Sequence, residues 1–227
     1  MDKNMYSKRL NKKITDKLQK DYNIECYSGA TSYLFNKSHE LMEKKISKKK
    51  FNDILEVGAG TQPHIKYINH EFKNYYCCEN SKFTINYLNK NYPLIKTIYI
   101  KDEKFQINKK FDRIILSHSL EHIYKPEVLL LKLYSLLKKN GVMSIAIPTD
   151  PAILYRFMRF FKKKIFSKYK ISEIEYDYIN SIEHINSYYN NDTIIRYLFK
   201  NYKKYYYPFN FLPADLNIFS FYQITKK

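Results

Sequence analysis

The chain is predicted to fold as an α/β domain, a parallel sheet covered by helices on both faces. Three observations carry that prediction. Between Phe51 and Pro148 short apolar runs alternate with amphipathic stretches, at a spacing that implies right-handed strand–helix–strand crossovers. The first run, Asp53 to Thr61 (DILEVGAGT), ends in Gly58-Ala59-Gly60, and two of the chain's four glycines fall there. A strand, a Gly-rich turn and a helix in succession let a ligand approach free backbone N–H groups.

Taken in order, Lys3 to Lys20 reads as a charged surface helix with a thin apolar stripe of Leu10, Ile14 and Leu18. A turn at Tyr27-Ser28-Gly29 precedes a helix from Thr31 to Ile46, whose Tyr33, Leu34, Leu41, Met42 and Ile46 recur at helical spacing. Lys48-Lys49-Lys50 is a solvated linker. Strands are expected at 51–57, 75–79, 95–100, 111–116 and 141–147, and helices at 62–70, 81–91 and 126–138. Pro63 and Pro126 suit first helical turns, where a missing N–H costs nothing. Asn140-Gly141 offers left-handed geometry where the third of these helices ends. From Thr149 to Ser187 the pattern changes, and residues 155–170 hold seven positive charges among large apolar groups. Asn190-Asn191-Asp192 caps a helix running to Lys200, and 205–211 and 218–225 read as two last strands.

Composition narrows the classes. No apolar run approaches the roughly 18–20 residues that span a bilayer, and the N-terminus lacks the apolar core of a secretion signal. Cys26, Cys77 and Cys78 show no C-x-x-C spacing, so neither a disulfide framework nor a zinc site is expected, and a reducing, cytoplasmic setting fits. The net charge of +18 suggests nucleic acid, but only five of the forty basic residues are Arg, the residue suited to bidentate phosphate and base contacts. No stable nucleic-acid partner is therefore expected. The positive field would draw anionic small molecules.

The pattern Glu56-x-Gly58-x-Gly60-Thr61, with another acid at the end of the next strand (Glu79 in YYCCEN), resembles motif I and the second-strand acid of class I S-adenosylmethionine (SAM)-dependent methyltransferases. Where a dinucleotide fingerprint has its third glycine, this chain has Pro63. Phe111–Ile123 (FDRIILSHSLEHI), then Pro126, then Leu136–Pro148 (LLKKNGVMSIAIP) resemble the fourth strand, the following helix and the fifth strand of the same family. The resemblance implies a single Rossmann-like domain with seven strands, mostly parallel, the last antiparallel. Within it, 1–50 would supply N-terminal helices, 51–148 the SAM-binding core, 149–187 an insertion for substrate recognition, and 188–227 a helix and strand pair.

It also implies roles. Gly58 and Gly60, with Thr61 in the same turn, would let the backbone pass close to the methionine portion of SAM, and Glu56 would face its ammonium group. Glu79 would accept from both ribose hydroxyls, with Asn80 beside it, because a carboxylate offers several acceptor sites. Asp102, with Glu103 competing, falls where the family binds the adenine amino group. Ser117 and His118 follow the fourth strand and would line the cleft. Tyr27 and Ser28 would touch the ligand or form a plain turn between helices.

Transfer to a hydroxyl calls for removal of a proton, and His is the side chain suited to that near neutral pH. Of six histidines, His39 and His70 read as structural or surface groups, His64 after the Gly turn as a cap on local backbone, and His118 belongs to the cleft. His184, in Glu183-His-Ile-Asn186, and His122, in the Leu-Glu-His triplet, are the two candidates for a catalytic base. No metal-ligand spacing occurs along the chain, so no metal is expected. The reading is a cytoplasmic SAM-dependent methyltransferase acting on a small anionic acceptor, an oxygen of a sugar or polysaccharide precursor carried on a nucleotide or lipid. Its alternatives are N-methylation of an amine or amide, an RNA methyltransferase, and a non-catalytic module resting on a membrane surface through residues 155–170.

Overall fold

The computed structural model describes residues 29–47, 50–100, 107–166 and 172–227. The expectations for Lys3–Lys20, Tyr27, Ser28, Asp102 and Glu103 lie outside the described residues. The chain divides into two compact units, 1–41 and 42–227. The described part of the first is helix α1 (Gly29–Lys44) as far as residue 41, where Lys37 pairs with Glu40 at 3.1 Å one turn on.

The second unit is organised by a sheet of seven strands: β1 (Lys50–Val57), β2 (Glu71–Glu79), β3 (Ile95–Tyr99), β4 (Phe111–Ser117), β5 (Leu137–Pro148), β6 (Tyr202–Tyr207) and β7 (Phe219–Thr225). Their spatial order is β3-β2-β1-β4-β5-β7-β6. The first five pair in parallel, and β7 runs antiparallel between β5 and β6. This is the expected sheet, antiparallel last strand included. The order reverses beside β1, so right-handed crossovers put α2 (Lys82–Asn91) and α3 (Pro126–Leu136) on opposite faces. The same reversal opens a crevice at the carboxyl ends of β1 and β4.

Local chemistry sets the element ends. Ser81 caps α2 by accepting the Thr84 N–H, and Pro126 opens α3. Leu129, Leu130, Leu133 and Leu136 of α3 are buried with Ile114, Leu116, Met143 and Ile145 of the sheet, in one core with Ile195 and Phe199. After β5 come the helices α4 (Ile153–Phe166), α5 (Glu173–Glu183) and α6 (Tyr188–Leu198). Ser187 caps α6 by accepting the Asn190 N–H, three residues before the Asn190-Asn191-Asp192 signal places its start.

Three expectations need correction. The predicted helix at 62–70 is only a 3-10 turn, His64–Tyr67, because Pro63 is extended and β2 begins four residues early at Glu71. α3 stops at Leu136, and the left-handed Asn140 (φ 59°) lies inside β5. There it forms a bulge that advances β5 from Leu137, opposite Phe111, to Val142, opposite Arg113. Gly141 is required at that fold, since a Cβ would meet the Lys138 carbonyl at 2.8 Å. β6 is Tyr202–Tyr207, not 205–211, since Pro208 follows and Asn210 Oδ1 takes the Tyr206 N–H at 2.9 Å.

Candidate active site

At the tip of β1 the chain turns through two left-handed glycines, Gly58 (φ 73°) and Gly60 (φ 57°). They differ in surroundings. A Cβ on Gly58 would meet Ser119 Cβ at 2.8 Å, whereas one on Gly60 would meet nothing within 4 Å. The turn is thus packed on one side and open on the other. Across it stands Glu79, the last residue of β2, whose Oε1 accepts the Gly60 N–H at 2.7 Å. Burial pushes the Glu79 carboxyl above its usual range, against the Gly60 and Ala59 amides, which pull it down. Thr61 is buried in the same turn, and Asn80, just past Glu79, is exposed.

Glu56 departs from expectation. Both its oxygens lie 3.0 Å from the His64 N–H, and Oε2 also accepts from the Tyr75 hydroxyl at 2.7 Å and from Cys77 Sγ at 3.6 Å. It is 1 % exposed, and burial raises its pKa to about 7. A carboxylate so enclosed holds the loop after β1 in place. It does not present itself to a ligand's ammonium group.

Next to that loop lies a buried charged cluster. Arg113, fully buried on β4, reaches Glu43 Oε1 at 2.6 Å and His70 Nε2 at 2.7 Å, and His64 Nε2 lies 2.7 Å from the same Glu43 oxygen. His64 and His70 are therefore structural in this cluster. The hydrogen bonds to His64 and Arg113 and the charges around them outweigh burial and hold Glu43 down to about 2.

The end of β4 supplies the opposite wall. Ser117 is its last residue, and His118 follows at φ 51°, a backbone strain typical of functional turns, with its ring 4.9 Å from that of Phe219. A 3-10 turn, Leu120–His122, comes next. The segment after α5 is stitched onto it. Asn186 donates its N–H to the Glu121 carbonyl at 3.1 Å and its side-chain amide to the Ile123 carbonyl. This brings together the two histidines named from the sequence, His122 and His184, with ring centroids 5.1 Å apart. His122 Nδ1 lies 2.8 Å from the Glu183 carbonyl, which can only accept, so Nδ1 is the donor, and in the neutral ring Nε2 holds the lone pair. His184 Nδ1 faces Asp150 Oδ2 at 2.9 Å, which Arg159 also engages.

Three participants escaped the sequence reading: Glu121, Asp150 and Ser119. Glu121 is buried beside His122, and its Oε2 has no hydrogen-bond partner among the described residues. Asp150 follows β5 by two residues, the position where open α/β sheets carry ligand groups, and that signal could have found it.

A family model described as a methyltransferase domain matches residues 29–202. The chain belongs to this family. It is a SAM-dependent class I methyltransferase. No curated protein matches the methyltransferase in sequence. Among solved structures it is similar to the plantazolicin methyltransferase BpumL in complex with SAH (15% identity, TM-score 0.67, covering 96% of this chain and 92% of that one). It is also similar to a possible histamine N-methyltransferase from Thermotoga maritima (15%, 0.63, 93% and 99%) and to the N-methyltransferase NodS from Bradyrhizobium japonicum WM9 (11%, 0.57, 86% and 87%). At these identities the likeness is one of fold.

The residues present fit SAM. Open space lies beside Gly60 at a turn of exposed backbone, and a buried carboxylate at the neighbouring strand tip has amides, not a cation, as partners. SAM supplies an activated methyl group on a sulfonium; the protein supplies position and electrostatics.

Proposed function

We propose that the methyltransferase transfers the methyl group of SAM to an oxygen of a small anionic acceptor, a sugar or polysaccharide precursor carried on a nucleotide or lipid, in the cytoplasm. The cofactor lies along Gly58, Gly60 and Thr61, with its ribose on Glu79, Asn80 beside it, and Ser117 and His118 on the facing wall. The acceptor comes in at His122 and His184, which prepare it by drawing off its proton.

The observation that carries this reading is the meeting of His122 and His184. They come from segments sixty-two residues apart, and the turn that bears His122 begins at Ser119, in contact with Gly58. The basic stretch 155–170 supports an anionic acceptor, since Arg159 of α4 engages the Asp150 carboxylate that His184 also faces. Exposed Ile153, Phe157 and Phe160 on the same helix support contact with a membrane surface, as a lipid-linked acceptor requires.

A second reading, N-methylation of an amine, draws on the carboxylates of Glu121 and Asp150 at the same place, which would complement an ammonium group. The two are separated by incubating the protein and labelled SAM with fractionated extracts of its source cells, then identifying the labelled product by mass spectrometry. Label on a sugar oxygen supports the first reading. Label on nitrogen, or on RNA, overturns it.

A further inference from the structure

We infer that Glu121, His122 and His184 form a binding site for a divalent transition-metal ion, and that the ion holds the acceptor's oxygen. One ligating atom from each of these residues lies within 4.8 Å of the other two. Nothing in their linear spacing announces this, since the turn after β4 supplies two of them and the segment after α5 the third.

The orientation of the rings is what makes the cluster a site. His122 is pinned through Nδ1 by the Glu183 carbonyl, and His184 Nδ1 faces the Asp150 carboxylate. An imidazole whose Nδ1–H is taken by a carbonyl or carboxylate presents the lone pair of Nε2, the arrangement by which proteins orient metal-ligating histidines. His122 Nε2 lies 4.0 Å from Glu121 Oε1, too far for a hydrogen bond. The other oxygen, Oε2, is buried without a donor, although an unpartnered buried carboxylate oxygen costs free energy. One ligating atom of each residue thus lies within 4.8 Å of the others, and the carboxylate among them keeps an oxygen without a hydrogen-bond partner among the described residues. A cation between them satisfies all three.

Ligands about 2.1 Å from an ion stand about 3.0–3.5 Å apart, so binding draws these atoms inward by about 1 Å. Two imidazoles and a carboxylate favour zinc, cobalt, nickel or iron over magnesium or calcium. Three protein ligands leave positions open for an incoming oxygen. The ion's task, unlike its binding, rests on the O-methylation reading above. The held hydroxyl loses its proton to water, its oxygen lone pair forms the O–CH3 bond, and the S–CH3 bond of SAM breaks with its electron pair returning to sulfur. With the ion bound, both rings are ligands, and water takes the proton in place of direct transfer to His122 or His184.

The test uses the full chain, stripped with chelator and dialysed against Zn2+ or Co2+ in turn. Bound metal per chain is measured by elemental analysis, and Co2+ ligation by visible absorption. One equivalent is expected in the wild type, bound about 100-fold more weakly by Glu121→Gln and His184→Gln, and about 10-fold more weakly by Asp150→Asn, whose partner only orients a ligand. Less than one equivalent in the wild type, or unchanged affinity in Glu121→Gln and His184→Gln, overturns the site. Calorimetry with SAH on the same proteins separates the claims. SAH binding without ion binding overturns the metal site and leaves methyl transfer standing; ion binding without SAH binding does the reverse. Should a variant fail to fold, modification of wild-type histidines by diethyl pyrocarbonate, mapped by mass spectrometry, decides: protection of His122 and His184 by Zn2+ supports the site, and equal modification overturns it.

Discussion

The Tyr75 hydroxyl donates to Glu56 at 2.7 Å, in a pocket where the carboxylate is 1 % exposed. Burial raises that carboxyl from 4.5 to about 7. In the folded state it therefore binds a proton that the unfolded chain has released, so its contribution favours folding below pH 4.5 and is lost as pH rises through 7. The loss is roughly 3 kcal/mol at pH 8. Glu56→Gln should flatten the melting temperature between pH 5 and 8. Thermal unfolding of both proteins across that range checks it, and parallel curves would contradict it.

Glu43 works in the opposite sense. His64 and Arg113 hold its carboxyl at about 2, so the stability it contributes is present above pH 4.5 and lost as pH falls toward 2. Replacing Arg113 by Met strands a buried carboxylate and should cost about 3–5 kcal/mol, read from urea unfolding at pH 7. A cost under 1 kcal/mol would show that the cluster does not anchor the loop after β1.

Gly58→Ala and Gly60→Ala form a matched pair. Both place a side chain at positive φ, at about 1–2 kcal/mol, but only Gly58 has a neighbour, Ser119, in the way. Gly58→Ala should therefore lose stability beyond the backbone term. Gly60→Ala should fold with a modest loss yet bind SAH at least about 10-fold more weakly, since its methyl occupies the cofactor's space. Unchanged SAH affinity in Gly60→Ala would move the cofactor elsewhere.

Removing His122 and His184 together should lower kcat by about 10²–10⁴-fold while leaving SAH affinity within about threefold. Steady-state assays on the acceptor found by product labelling, beside calorimetry, check both halves. Intact turnover would leave methyl transfer without its acceptor-side groups.

Much of this was legible in the sequence. The strand-turn-helix rhythm and the Gly58-Ala59-Gly60 sequence placed the sheet and the glycine turn at the tip of β1, because strand burial and glycine at positive φ are local properties. The predicted helix after that turn was not legible as a single 3-10 turn. Its shortening comes from the Glu56 hydrogen bonds to His64 and the early start of β2, which are tertiary. The same holds for the site. His122 and His184 were readable as candidates by residue type, but their contact depends on Asn186 tying two distant segments together. Glu56 was misassigned for the reverse reason: a carboxylate near a Gly-rich turn looks like a ligand group until Tyr75 and Cys77 are seen to enclose it.

The account depends most on Glu79 and the Gly60 turn holding SAM. Calorimetric titration of SAH into the wild type and Glu79→Ala tests this directly. Each hydrogen bond between a hydroxyl and a carboxylate is worth about 1.5–3 kcal/mol, so the variant should bind about 100-fold more weakly with the fold retained by circular dichroism. Equal affinity in the two proteins, or no heat from the wild type, would contradict it.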